Sequence, residues 1–433
     1  MKVKRWWGVA LVLALGIPGV ALAAGYGIYE AGAAVMGMAG AGTAAVSDAS
    51  ALFYDPAALG RVARSGDGKG GAWYLGGAGL SPFSSFAGVN PYPGYGVTEE
   101  MKHNLYWIPA AYYARPCGDR WAVGAGLYSP YGLGVEWKDP DQFTGRYIAT
   151  KARVEALNLG TAAAYQVSPV VSVAAGLNVL FSKVLLENRI LEPVPGGGGG
   201  QVDVAAAKLE SQWKPGYGWN AALSVTPNER WRLGATYRGK IIAHPSGDAT
   251  FEQIPTGNAA FDAAVAASLP PDQGVSTTLR FPAIWAAGAA WMPARWTVET
   301  DVVFTQWSLF TDLPISFDET PSANRTIVEN YDDALAVRVG AEHRLEAFTY
   351  RFGYYFEQEA APSESVSPIL PDARRHGVTL GLGFKIGDHA TLDVYDLGVF
   401  TQRRSTEGVN RDGYDGDYRT YVNAAGLDLG FRW

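Results

Sequence analysis

The 433-residue chain offers little that could do covalent chemistry. Its five histidines, His103, His244, His343, His376 and His389, share no metal-type spacing such as H-E-x-x-H. No G-x-S-x-G elbow presents a serine nucleophile. The glycine run 196–200 and the stretch Gly66-Asp67-Gly68-Lys69-Gly70 lack the Lys-Ser/Thr pair that a phosphate loop requires. Asp412, Asp415 and Asp417 carry oxygens that suit calcium, but their spacing is not that of an EF-hand, and a solvated acidic loop is the simpler reading. The expectation is a protein without a catalytic residue, metal site or cofactor.

What remains is a set of charges: Arg232, Arg238, Arg338, Arg351, Lys385 and Arg432 against Glu299, Asp301, Glu342, Glu357 and Asp428. The elements that carry them alternate. In residues 348–356 one face is Phe348, Tyr350, Phe352, Tyr354 and Phe356, and the other is Thr349, Arg351, Gly353 and Tyr355. Residues 378–386 do the same, with Val378, Leu380, Leu382, Phe384 and Ile386 on the apolar side. Side chains alternate across a strand, so one face is read as lipid-facing and the charged face as lumenal.

Short connections near residues 116–119, 168–169, 227–229, 293–294, 346 and 387–388 alternate with long polar ones, and two length classes are what a transmembrane barrel has. The segments between them number fourteen, which predicts an all-β fold, a fourteen-stranded antiparallel transmembrane barrel with both ends on the periplasmic side. Tryptophans fall where strands cross the interfaces: Trp121, Trp231, Trp291 and Trp296 beside the short turns, Trp107, Trp137, Trp285 and Trp307 farther along.

The compartment follows from the first residues. Lys2, Lys4 and Arg5 precede an apolar run that Pro18 and Gly19 end, and Ala21-Leu22-Ala23 is a small-x-small cleavage site. Residues 1–23 therefore read as a cleaved signal peptide, and bacterial outer membrane as the destination. Cys117 is the single cysteine, read as a small buried hydrophobe that forms no internal disulfide. A net charge of −7 argues against a nucleic-acid partner. The chain ends on Phe431-Arg432-Trp433, and a terminal aromatic on a last strand resembles the signal read by the barrel-assembly machinery.

Residues 24–62 do not alternate. They are largely Gly, Ala and Ser, too few to fold alone, and read as a plug within the lumen. Gly25-Tyr26-Gly27-Ile28-Tyr29-Glu30, Gly37-Met38-Ala39-Gly40-Ala41-Gly42 and Phe53-Tyr54-Asp55-Pro56-Ala57 resemble the N-terminal hatch of the FadL/TodX family. Tyr217-Gly218-Trp219-Asn220, Phe281-Pro282-Ala283-Ile284-Trp285 and Phe304-Thr305-Gln306-Trp307 extend the likeness in order. The resemblance divides the chain into signal peptide (1–23), hatch (24–65) and barrel (66–433). It implies passive outer-membrane transport of long-chain fatty acids or related hydrophobic compounds, by a monomer set among outer-membrane lipids and lipopolysaccharide. A general aqueous porin and an outer-membrane lipid hydrolase are the alternatives.

The resemblance also points to residues. Asp55, Pro56 and Ala57 stand where the family has Asn-Pro-Ala, implying a gating turn with an added charge. Lys183, after Phe181-Ser182, matches a basic position near the family's internal site and implies a partner for a substrate carboxylate. In the third strand, Ser129, Pro130 and Gly132 should break the pairing, because proline has no N–H and glycine weakens a strand; the family has an inward kink there that opens the wall sideways. Residues 259–269 read as a helix with Phe261, Val265 and Leu269 on one exposed apolar face, implying a lipid-catching surface. The connection 190–207 reads as a short glycine-rich loop that leaves the second wall of such a groove missing.

Overall fold

The computed structural model describes residues 25–64, 70–194 and 200–433. The segment assigned as a signal peptide lies outside the described residues. Fourteen antiparallel strands form the wall. They are β1 Ala72–Gly88, β2 Tyr106–Cys117, β3 in two pieces, Trp121–Tyr128 and Gly132–Glu136, β4 Lys151–Gln166, β5 Val171–Pro193, β6 Lys214–Asn228 and β7 Trp231–Arg238. The wall continues with β8 Ile284–Trp291, β9 Trp296–Thr305, β10 Ala334–Arg344, β11 Phe348–Glu357, β12 Arg375–Ile386, β13 Ala390–Thr401 and β14 Gly416–Arg432. β14 lies along the whole of β1, with Ala72 opposite Arg432 and Gly88 opposite Gly416. That pairing closes the barrel and removes its edges, as hydrocarbon demands of any spanning sheet.

The two-residue period decides which way each side chain faces. On β12, Val378, Leu380, Leu382, Phe384 and Ile386 are exposed outward, while Thr379 and the neighbouring Arg351 of β11 are buried inward. Trp121, Trp231, Trp291 and Trp296 are exposed beside the short turns, and Trp107 and Trp285 farther along. Trp137 and Trp307 depart from the predicted girdle, since both are buried on the inner side. Trp137 stacks on Phe143 and donates through Nε1 to the Pro368 carbonyl at 3.1 Å; Trp307 packs on Tyr26, ring centroids 4.8 Å apart. Cys117, expected to be buried, is exposed at the end of β2, next to a short turn.

Beyond the membrane the wall grows into a second layer of pairing. β5 runs on to Pro193, and Gln201–Ser211 returns beside it, so 190–207 is the end of a long hairpin rather than a short loop. Ser246–Gln253 adds to that hairpin. A helix follows, Ala259–Ser268, capped by the Asn258 side chain, which accepts from the Phe261 N–H.

Residues 25–64 lie against the inner face of the wall and are mostly buried, with three short helices, α1 Ala33–Met36, α2 Ala51–Tyr54 and α3 Leu59–Ala63. Their small side chains let backbone meet backbone. A Cβ on Gly234 of β7 would fall 1.8 Å from the Thr43 carbonyl oxygen, so only glycine permits the approach. The wall's charges then satisfy the segment's peptide groups. Asp301 accepts from the N–H groups of Gly42 and Thr43, each at 2.9 Å, and Glu299 from those of Ala44 and Ala45, at 2.6 and 3.1 Å. Arg338 donates to the Ala39 carbonyl at 3.0 Å and Arg238 to that of Phe53 at 3.1 Å.

Gly234→Val places two methyl groups where the Thr43 backbone lies. Single-channel recordings in planar bilayers should show conductance rising several-fold, with the barrel still shifting its gel mobility on heating. Conductance equal to that of the parent protein would mean that residues 25–64 do not obstruct the lumen.

Candidate functional site

The wall has a window. β2 pairs with β3 only from Ala111–Leu127 to Cys117–Trp121. β3 stops at Tyr128, resumes at Gly132, and its second piece pairs only with β4, Gly132 opposite Glu155 and Glu136 opposite Lys151. Residues 106–110 of β2 therefore have no strand on that side. Pro130 and Pro109 stand on the two sides of the window, and neither has an N–H to leave unpaired. Above it the wall rejoins through the Met101–Trp137 bridge and the ion pair of Lys102 with Glu136, 2.8 Å.

The inner side of the window is crossed by the start of the lumenal segment. Ile28 N–H donates to the Pro130 carbonyl and Gly132 N–H to the Tyr26 carbonyl, both at 2.9 Å, so residues 26–28 supply the pairing that β3 lacks. A cavity of about 650 Å³ runs past this bridge. Tyr26, Ile28, Tyr355 and Val399 line it inside, Tyr106, Pro109, Gly132 and Leu133 frame the window, and Leu105, Trp107 and Trp213 continue it on the exposed outer surface. Its two guanidiniums are already paired, Arg375 with Glu357 at 2.8 Å and Arg153 with Glu155 at 3.4 Å. The path is thus apolar in surface and closely balanced in charge.

Ser129, Pro130 and Gly132 lie at this window. Lys183 does not join them. It is two residues from outward-facing Phe181, so the strand period turns it to the outside, where it pairs with Glu210 at 2.5 Å and lines no part of the cavity. The apolar face of residues 259–268 also differs from expectation. Val265 is buried and Phe261 and Leu269 are half-buried, while the alanines between them are exposed. The Asp262 carbonyl and carboxylate accept from Gln253 and Thr256, which ties the helix down onto its own loop. The hydroxyl contacts of histidine among the described residues are His244 with Thr278 and His376 with Tyr354, and neither involves a serine.

Asp55, Pro56 and Ala57 form one turn at the floor of the lumenal segment. Pro56 starts a short helix over Pro56–Ala58, and Asp55 caps it, accepting from the Ala57 N–H at 3.0 Å. Asp55 is fully buried. Burial pushes its carboxyl up to about 7, against the smaller opposing pull of Arg61 and of the Ser224 hydroxyl.

A family model described as outer membrane protein transport protein (OMPP1/FadL/TodX) matches residues 14–432. The chain belongs to that family. The long-chain fatty acid transport protein of Escherichia coli is 23% identical over 422 residues, 91% of each chain. The 47 kDa outer membrane protein of Pasteurella multocida is 25% identical over an alignment of 459 positions, gaps included, that covers 100% of both chains. Among solved structures, a Pseudomonas aeruginosa FadL homologue superposes with a TM-score of 0.81 at 19% identity, covering 94% of this chain and 99% of the other. The Pseudomonas putida toluene transporter TodX gives 0.72 at 20% identity, with the same coverage. This member of the FadL/TodX family is an outer-membrane transport barrel. The burial of Asp55 has a physical consequence. An acid raised from 3.8 to about 7 by folding lends its full stability below pH 4 and loses it as pH rises through 7. Asp55→Asn, always neutral, should match the parent protein near pH 4 and exceed it above pH 7, by at most about 4 kcal/mol. Thermal unfolding midpoints in detergent at several pH values check this; a pH-independent difference would contradict it.

Proposed function

We propose that the chain carries long-chain fatty acids or related hydrophobic compounds passively across the outer membrane, releasing them sideways through the window. The observation that carries this reading is the single cavity that joins lumenal residues Tyr26 and Ile28 to outward-facing Leu105 and Trp107. Sideways release suits the solute. Each methylene exposed to water costs about 0.8 kcal/mol, so a path ending in lipid spares a chain the loss it would meet in the periplasm. About fifteen buried methylenes gain roughly 12 kcal/mol gross, against an association cost of about 4–15 kcal/mol, which keeps net binding modest and release feasible. The relatives' names include both fatty acid and toluene transport, and an apolar path with paired cations suits either class.

In this mechanism the bridge at 26–28 is the gate. It closes the wall while it pairs with Pro130 and Gly132, and opens when the lumenal segment shifts. Asp55, Pro56 and Ala57 serve as the turn about which that segment pivots. Phe261, Val265 and Leu269 hold the outer helix in place, and Lys183 secures the outer end of β5; neither group meets substrate.

Closing the window tests the route. Gly132→Val alone would strike Ile28, since a Cβ there lies 2.6 Å from its Cδ1. Pro130→Val and Gly132→Val combined with Ile28→Ala give the strand its donors and its room. Uptake into proteoliposomes should fall at least roughly tenfold, a barrier rise of about 1.4 kcal/mol, while the detergent-solubilised variant still binds hexadecanol. Parental uptake by a variant whose structure shows β3 paired throughout would rule the sideways path out.

A further inference from the structure

A second cavity, about 260 Å³, opens at the periplasmic end between α3 and the short turns of β2–β3 and β4–β5. Three arginines line it: Arg61 and Arg64 from the lumenal segment and Arg120 from the β2–β3 turn. Each is held by neutral partners. Arg61 donates to the carbonyls of Ala44 and Val46, at 3.3 and 3.1 Å. Arg64 donates to those of Gly118 and Trp121, at 3.2 and 3.0 Å, and to Gln166 Oε1 at 3.4 Å. Arg120 donates to the Tyr165 hydroxyl at 3.4 Å. Among the described residues no carboxylate forms an ion pair with any of the three, although buried Asp55 and Glu299 act on Arg61 from within. The Nε of Arg64 is buried with no hydrogen-bond partner.

This arrangement inverts that of the window cavity, where both guanidiniums are matched by acids. Like charges gathered with no carboxylate paired to them among the described residues repel, and an arginine fork is shaped for carboxylate or phosphate oxygens. The rest of the lining is apolar or hydroxylic: Ala57, Ala58, Pro169 and Val170 beside Ser172 and Thr226. We infer that the pocket binds the anionic head of an amphiphile, carboxylate or phosphate, with the first part of its tail against those apolar residues. The head comes either from a transported acid or from a phospholipid of the inner leaflet. The inference does not depend on the sideways route, and its test reads a different ligand count.

The test is native mass spectrometry of the whole processed protein in non-ionic detergent, titrated separately with hexadecanoate, hexadecanol and phosphatidylglycerol. The parent protein should bind an anionic amphiphile at one site more than it binds the alcohol. Arg64→Gln with Arg120→Gln should weaken that extra site roughly tenfold or more, the loss of charged hydrogen bonds, and leave hexadecanol binding unchanged. Arg64→Lys with Arg120→Lys should retain much of it. Because Arg64 also tethers a turn, Arg120→Gln alone, which gives up only the Tyr165 contact, must show part of the loss. Whether hexadecanoate or phosphatidylglycerol is lost identifies the source of the head. Binding of both anions at parental strength by the folded double glutamine variant would overturn the inference.

Discussion

A peptide group at membrane depth has no water to bond with, and each one left unpaired costs several kcal/mol. The rest of this structure depends on that constraint. It forces the strands to close, β14 onto β1, and it makes any interruption of the wall conspicuous. The interruption at Tyr128–Gly132 persists because two prolines remove donors and because Tyr26 and Ile28 of the lumenal segment provide the missing partners. The same rule that builds the barrel therefore ties this window to the segment inside it.

Closure also creates a dry, crowded interior in which the lumenal segment's own peptide groups need partners. The wall answers with carboxylates aimed at consecutive N–H groups, Asp301 and Glu299 at residues 42–45, and with guanidiniums aimed at carbonyls, Arg338 and Arg238. Such charge-assisted bonds are stronger than neutral ones. They hold the stretch together with the apolar cluster it shares with the wall, and they occupy four of the inward charges. Those near the window are paired among themselves, leaving an apolar path. Arg61, Arg64 and Arg120, which form no ion pair among the described residues, lie at the periplasmic end.

One cavity joins Tyr26 and Ile28 on the inner side of the wall to Leu105 and Trp107 on its exposed outer surface. Nothing along it requires a bond to be made or broken. The gate proposed for it would exchange two backbone hydrogen bonds, at Pro130 and Gly132. Asp55 sits buried at the turn on the floor of the lumenal segment, and that burial raises its carboxyl.

Local pattern was enough for the sequence by itself to determine the strands, their facing and their turns, because a period of two and a contrast between short and long connections are properties of neighbouring residues. The expectation of a break at Pro130 also rests on a local property, a missing N–H. The same period places Lys183 outward, two residues from Phe181; the family likeness suggested otherwise, and the period prevailed. Only the tertiary structure decided what each break and charge meets. Trp137 and Trp307 turn inward because contacts with Phe143 and Tyr26 replace the membrane interface. The helix at 259–268 hides its apolar face against its own loop. Arg61, Arg64 and Arg120 become one pocket only when a segment from before the barrel packs beneath a turn more than fifty residues later. Proximity of that kind arises from closing the sheet around the segment, and no local repeat of residues encodes it.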